Sequence, residues 1–242
     1  MSEPTPTAGD FRPYRSKLFR IVEAQHRIST DRLVDDLAEQ DVLERMIEEV
    51  KPTMPRAARG LHHLLGTPFR YGYKKATRFR RASERPGIFY GSEQQRTAVC
   101  ETAYWLMRFY SAAPGAKLPE TTLEHSAFSV TVKVERALDL TKPPLSAARK
   151  CWTDPMDYGA CQRLAEHARM IGTELIRYES ARDPDGGKNA ALFNPAAFQK
   201  PVPTGERTWH FRFAGRKLTA FAALPSHDRH DFGFEQFGLA AP

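Results

Sequence analysis

Hydrophobic and polar positions alternate most cleanly at "FSVTVKVE", where Phe128, Val130, Val132 and Val134 fall on one face and Ser129, Thr131, Lys133 and Glu135 on the other. That period of two predicts a half-buried strand. A period near 3.6 appears three times. From Thr30, "TDRLVDDLAEQDVLERMIEEV" reads as a helix capped by Thr30, with Asp31 in its first turn, an apolar stripe of Leu33, Leu37, Leu43, Met46, Ile47 and Val50, and a stop at Pro52 and Pro55. A second helix is predicted from Ser92, whose hydroxyl pairs with Gln95 in a capping box, with Val99, Ala103, Leu106, Met107 and Tyr110 inward. The third, "YGACQRLAEHARMIG", turns Cys161, Leu164, Ala165, Ala168 and Ile171 inward and ends at Gly172. Shorter apolar runs follow: "ELIRY", a turn at "DPDGGKN", "AALF", and a hairpin of "TWHFRF" and "LTAFAAL" around Ala214-Gly215. Strands and helices mix without a βαβ rhythm, which predicts an α+β fold. Residues 1–15 are polar and read as mobile, so the expected organisation is a helical leader over 1–55, a main domain over 56–225 and a tail over 226–242.

Composition narrows the class. The 242 residues are 41% hydrophobic and 11% aromatic with 18 prolines, as in a soluble globular protein rich in turns. A formal charge of +7 calls for an anionic partner: nucleic acid, a phosphorylated small molecule or an acidic protein. Cys100, Cys151 and Cys161 have no metal-ligand spacing and read as buried free thiols in a reducing compartment. The start "MSEPTPTAGD" does not look like a secretory signal, and no apolar run nears the roughly 18 residues a membrane span needs, so a cytoplasmic location is expected.

Charge is distributed unevenly. The helix over 30–50 has an acidic outer face, which reads as a solvated surface or as a contact for a basic partner, whereas residues 56–85 hold nine cations against Glu84. Guanidinium groups offer forked donors to phosphate oxygens and nearby rings can stack on a heterocycle, so Arg70-Tyr71 and Arg78-Phe79 suit a nucleotide-like ligand or a nucleic-acid backbone. Glu101 lies on the second helix with Tyr104 and Trp105 at i+3 and i+4; it reads as a site carboxylate, or as a surface acid paired with an arginine. Ser180 ends the strand "LIRYE" ahead of a glycine-bearing turn, where it serves a ligand mouth or caps the turn. His227 and His230 share helical spacing in a polar tail without further ligands in pattern, so no metal is expected. The motifs of serine hydrolase elbows, P-loops and dinucleotide folds are absent from the sequence.

Four segments, in order, carry a family resemblance: "TPFRYGYKKATRFRRASERPGIFYGSEQQRTAVCETAYW", "LDLTKPPL", "WTDPMDYGACQRLAEHAR" and "IRYESARDPDGGKNAALFNPAAF". Together they resemble the RES-domain family, named for its Arg, Glu and Ser, whose members are toxins of bacterial toxin–antitoxin pairs. The resemblance implies a fold like that of ADP-ribosyltransferase toxins, with NAD+ as substrate and no metal. It also implies hydrolysis or phosphorolysis of NAD+, with transfer of ADP-ribose to a protein as the alternative. By position it places the family arginines at Arg70 and Arg78, the aromatic at Tyr90, the glutamate at Glu101 and the serine at Ser180, with Tyr71 beside them. In the implied roles, Glu101 steadies an oxocarbenium-like ribose, the arginines clamp the diphosphate, Tyr71 and Tyr90 shape the nicotinamide pocket, and Ser180 donates to the nicotinamide amide or the ribose. Where many members have "GGRW" this chain has "ATRF", a stiffer turn. The implied partners are NAD+, phosphate as an acceptor, and a helix-turn-helix antitoxin of the Xre type that plugs a pocket rimmed by Arg70, Lys74, Lys75, Arg78, Arg80 and Arg81. A nucleic-acid-binding module is the more distant reading; it predicts a continuous basic surface and no role for Glu101.

Overall fold

The computed structural model describes residues 3–24, 36–113 and 115–242. Its frame is a long strand, β3 (Leu123–Asp139), which contains the predicted alternating run. Phe128, Val130, Val132 and Val134 all point into one core together with Leu18, Phe69, Phe89 and Leu192. Burying each such side chain contributes about 1.5–3 kcal/mol.

The strand that packs along β3 comes from the segment expected to be a helical leader. β1 (Arg12–Glu23) runs antiparallel to β3, with Leu18 opposite Val130 and Arg20 opposite Phe128. Its alternation is blurred by Arg12, Arg15, Lys17 and Arg20, which is why the pattern alone did not mark it as a strand. β2 (Phe89–Ser92), β4 (Leu175–Glu179) and β5 (Lys188–Leu192) complete a sheet of order β1-β2-β5-β4-β3, and the extra β1–β3 pairing closes this part upon itself. β6 (Thr204–Ala214), β7 (Lys217–Ala222) and β8 (Arg229–Gly233) extend the sheet from β3. The β6–β7 hairpin turns at Gly215, whose φ of 58° suits glycine. β8 lies within the expected polar tail; Phe232 and Phe234 are buried, and the helical spacing assumed for His227 and His230 does not exist there.

Among the helices, α1 (Leu37–Val50) is capped by Asp36, whose carboxylate accepts from the amides of Ala38 and Glu39. The expected cap Thr30, with Asp31 and Leu33, lies outside the described residues. α1 buries none of its residues: Leu37, Met46 and Val50, expected inward, are exposed. α2 (His63–Arg70) leads into the basic segment. α3 (Gln95–Ser111) begins later than expected, because Ser92 is the last residue of β2 and its hydroxyl donates to Asn189 instead of capping. Val99, Ala103 and Met107 are buried against β6 and β7 as the periodicity required. After the single turn α4 (Arg149–Trp152), α5 (Gly159–Met170) packs Cys161, Leu164, Ala165 and Ala168 against Phe79, Trp152 and Ile176. Among the described residues no helix is long and apolar enough to cross a membrane.

Candidate active site

Where β1 and β2 face α3, a cavity of about 240 Å3 opens. Glu101 reaches it from the second turn of α3, and Arg20, Arg78 and Arg182 reach it from three other directions.

The carboxylate is held by a short network. Glu101 Oε1 accepts from the Ser180 hydroxyl and from the Asn189 side-chain amide, each at 2.7 Å. Asn189 is oriented in turn, since its Oδ1 accepts from the Ser92 hydroxyl at 2.6 Å, which turns the NH2 toward Glu101. Ser180 Oγ accepts from the amides of Arg182 and Asp183 at 3.1 and 3.0 Å, so its own proton is directed at the carboxylate. Glu101 Oε2 has no hydrogen-bond partner among the described residues. Ser180 itself is buried and is not among the residues that line the cavity; its hydroxyl reaches the site through Glu101.

The loop that presents Ser180 is stapled to α3. The buried Asp183 carboxylate accepts from Thr97 Oγ1 at 2.7 Å and from Arg96 at 3.2 Å. Gly187, at the far end of the loop, sits directly over this contact: a Cβ there would stand 2.1 Å from Thr97 Oγ1 and 2.5 Å from Asp183 Oδ2.

The three guanidinium groups share one property. Among the described residues none has a carboxylate within ion-pair distance, whereas Arg96, Arg149 and Arg177 elsewhere are all paired. Arg78 donates to the carbonyls of Trp152 and Asp154 at 2.7 and 3.0 Å and stacks over Tyr158 at 4.8 Å. Arg182 lies 3.5 Å over the Tyr104 ring and donates to Tyr158 Oη at 3.1 Å. Arg20 lies 4.8 Å over Phe89 and donates to the Tyr90 carbonyl at 3.3 Å; burial holds its pKa down at about 10. Three positive charges held by carbonyl dipoles and aromatic faces, with no carboxylate at ion-pair distance among the described residues, make a strong field for an anion.

Tyr90 lines the cavity and also fixes its wall. Its hydroxyl bonds Thr77 Oγ1 at 2.8 Å and accepts from the Phe79 amide at 3.3 Å, and burial pushes its pKa up to about 12. Thr77 of the departing "ATRF" turn thus supplies a contact through its hydroxyl that glycine could not make.

Of the residues expected at a site, Arg78, Tyr90, Glu101 and Ser180 come together here. Arg70 and Tyr71 do not line this cavity. Arg70 ends α2 with its guanidinium on Glu48 at 2.6 Å and on the Pro52 carbonyl, so the exposed acid of α1 draws it away. The Tyr71 ring packs on Tyr73 at 5.6 Å. Arg80, expected on a basic rim, is buried and spent on the carbonyls of Tyr73, Lys75 and Arg81. The sequence pattern places Arg182 in a turn near a ligand mouth but does not point to Arg20 or Asn189. Arg20 was hidden because β1 itself was missed, and Asn189 because an amide in "GGKNAALF" reads as turn chemistry. Among the described residues no three His, Cys, Asp or Glu side chains converge on a possible metal position.

Fold and site together define an α+β domain with a cationic, half-enclosed cavity built around one fixed carboxylate. The RES domain profile matches residues 53–214, more than half of the chain, and the protein belongs to that family. Among solved structures, the chain is similar to one described as the crystal structure of the M. tuberculosis MbcT–MbcA toxin–antitoxin complex, with 13% identity over 81% of this chain and 85% of that one and a TM-score of 0.47. No curated protein matches the chain.

Proposed function

We propose that this protein cleaves the nicotinamide–ribose bond of NAD+ and acts as the toxin of a toxin–antitoxin pair, as its family membership suggests. The observation that carries the reading is the pairing of one hydrogen-bonded carboxylate, Glu101, with three guanidinium groups that have no carboxylate partner among the described residues.

The chemistry needs both kinds of charge. When the bond between ribose C1′ and the pyridinium nitrogen breaks, its electron pair goes to nicotinamide and the ribose becomes oxocarbenium-like. Glu101 Oε2 binds a ribose hydroxyl and stabilises the developing cation, while Ser180 and Asn189 hold the carboxylate so that little reorganisation occurs as charge moves. The diphosphate bridge, carrying negative charge, lies against Arg20, Arg78 and Arg182. Tyr90, Tyr158 and Tyr178 offer ring surface for the nicotinamide. A water oxygen then bonds ribose C1′ and releases its proton to solvent, or a phosphate oxygen bonds C1′ in its place. A continuous basic surface for nucleic acid fits less well, since these cations converge on a cavity and Arg70 and Arg80 are occupied elsewhere.

The test is incubation of purified protein with NAD+, with and without phosphate, and identification of products by mass. Nicotinamide with ADP-ribose indicates water as acceptor; a phosphorylated ADP-ribose indicates phosphate; mass added to a protein indicates transfer. Glu101→Gln, which changes charge but hardly volume, abolishes turnover while the melting temperature stays close to that of the unsubstituted protein. Normal turnover by that variant removes Glu101 from the mechanism.

A further inference from the structure

The proposed substrate has two ring systems, and the cavity has room for one. Its volume of about 240 Å3 lies below the roughly 300–1,000 Å3 typical of sites that enclose a small molecule whole, so part of a dinucleotide must lie outside. At the mouth stands Trp105, which lines the cavity and is 47% exposed, whereas Trp152 and Trp209 are buried at 2% and 1%.

Helix geometry explains the placement. Trp105 follows Glu101 by four residues on α3, so the two share a face, about 6 Å apart along the axis. The core-facing side of α3 is taken by Val99, Ala103 and Met107, which leaves the indole at the cavity and not in the core. The ring is also held in place. Tyr104 packs edge-on at 5.2 Å and 71°, and the Arg108 guanidinium lies 5.5 Å from the indole while donating to Tyr104 Oη at 2.6 Å. An aromatic plane held by its neighbours yet open to solvent is suited to stacking on a heterocycle, at little ordering cost.

We propose that Trp105 is the stacking platform for the adenine end of the dinucleotide, outside the cavity in which Glu101 meets the ribose. This rests on the NAD+ reading above and adds to it a specificity determinant: the preference for a dinucleotide over a mononucleotide resides in one exposed indole on α3.

Calorimetric titration of the full chain with two ligands tests it. ADP-ribose has the adenine without nicotinamide, and nicotinamide mononucleotide has the reverse. In Trp105→Ala the Kd for ADP-ribose rises about tenfold, about 1.4 kcal/mol and within the range for one stacked base, while that for the mononucleotide moves less than about twofold. Trp105→Phe recovers most of the ADP-ribose affinity. Unchanged ADP-ribose binding in Trp105→Ala, an equal loss for both ligands, or no ADP-ribose binding by the unsubstituted protein overturns the proposal. If ADP-ribose binds through Trp105 while NAD+ is left intact, the cleavage reading falls and the platform stands.

Discussion

Replacing Gly187 with alanine adds one methyl group at the point where the Ser180 loop meets α3. The new Cβ would stand 2.1 Å from Thr97 Oγ1 and 2.5 Å from Asp183 Oδ2, atoms that are hydrogen-bonded to each other at 2.7 Å. Neither can yield easily, because Thr97 is fully buried in the first turn of α3 and Asp183 is buried as well. The loop must therefore lift. Loss of a buried hydrogen bond to a charged group costs about 1.5–3 kcal/mol. Overpacking adds about 1–3 kcal/mol, giving a total near 4 kcal/mol. For a chain of this size that lowers the melting temperature by about 8–16 °C. Activity falls further than stability, since lifting the loop withdraws the Ser180 hydroxyl from Glu101. The assays are a thermal melt and NAD+ turnover measured well below the transition. Gly66→Ala is the control: it lies in α2, the nearest atoms its Cβ would meet beyond its own helix are Ala58 O at 3.4 Å and the flexible Met54 side chain, and alanine favours the helix. A Gly187→Ala melt within about 2 °C of the unsubstituted protein would refute the staple, since it corresponds to about 1 kcal/mol or less.

Three further outcomes follow from the same geometry. Arg20→Lys and Arg78→Lys each raise KM for NAD+, because an ammonium lacks the forked contact, whereas Arg70→Ala leaves KM unchanged; steady-state kinetics on the three variants checks this, and a several-fold rise for Arg70→Ala would return that residue to the ligand. His125 is buried edge-on against Phe211, and burial holds its pKa below the usual imidazole value. Its neutral form is thus the folded form: the stability it contributes is present above the unfolded pKa of about 6.5 and is lost as pH falls toward the folded value. Burial shifts His63 and His230 the same way, so His125→Phe makes the acid loss of melting temperature shallower without abolishing it, and an unaltered slope rules His125 out. For the proposed antitoxin, inhibition is competitive with NAD+, and reversing the charge of the exposed Lys74 and Lys75 slows its association most at low salt. A complex that binds NAD+ with unaltered affinity would move that contact away from the cavity, most simply to the acidic, exposed α1.

Sequence alone determined those parts of the protein whose signal is local. The alternation at 128–135, the inward stripes of α3 and α5 and the hairpin at Gly215 follow from side-chain periods and turn preferences that need no distant partner. Glu101 was legible as a candidate, because a carboxylate next to Tyr104 and Trp105 on a helix is conspicuous without any fold, although its local sequence fits a surface acid as well. Tertiary structure decided what depends on partners far along the chain. β1 exists because β3 pairs with it over its length, although its own sequence is crowded with cations. Arg70 and Arg78 look equivalent in sequence, yet Glu48 and the Pro52 carbonyl hold one, while the other runs into the cavity past Trp152 and Tyr158. Asn189 gains its role from Ser92 on one side and Glu101 on the other, 97 and 88 residues away. A hydrogen-bonding group has several possible partners, and only the packed chain selects among them.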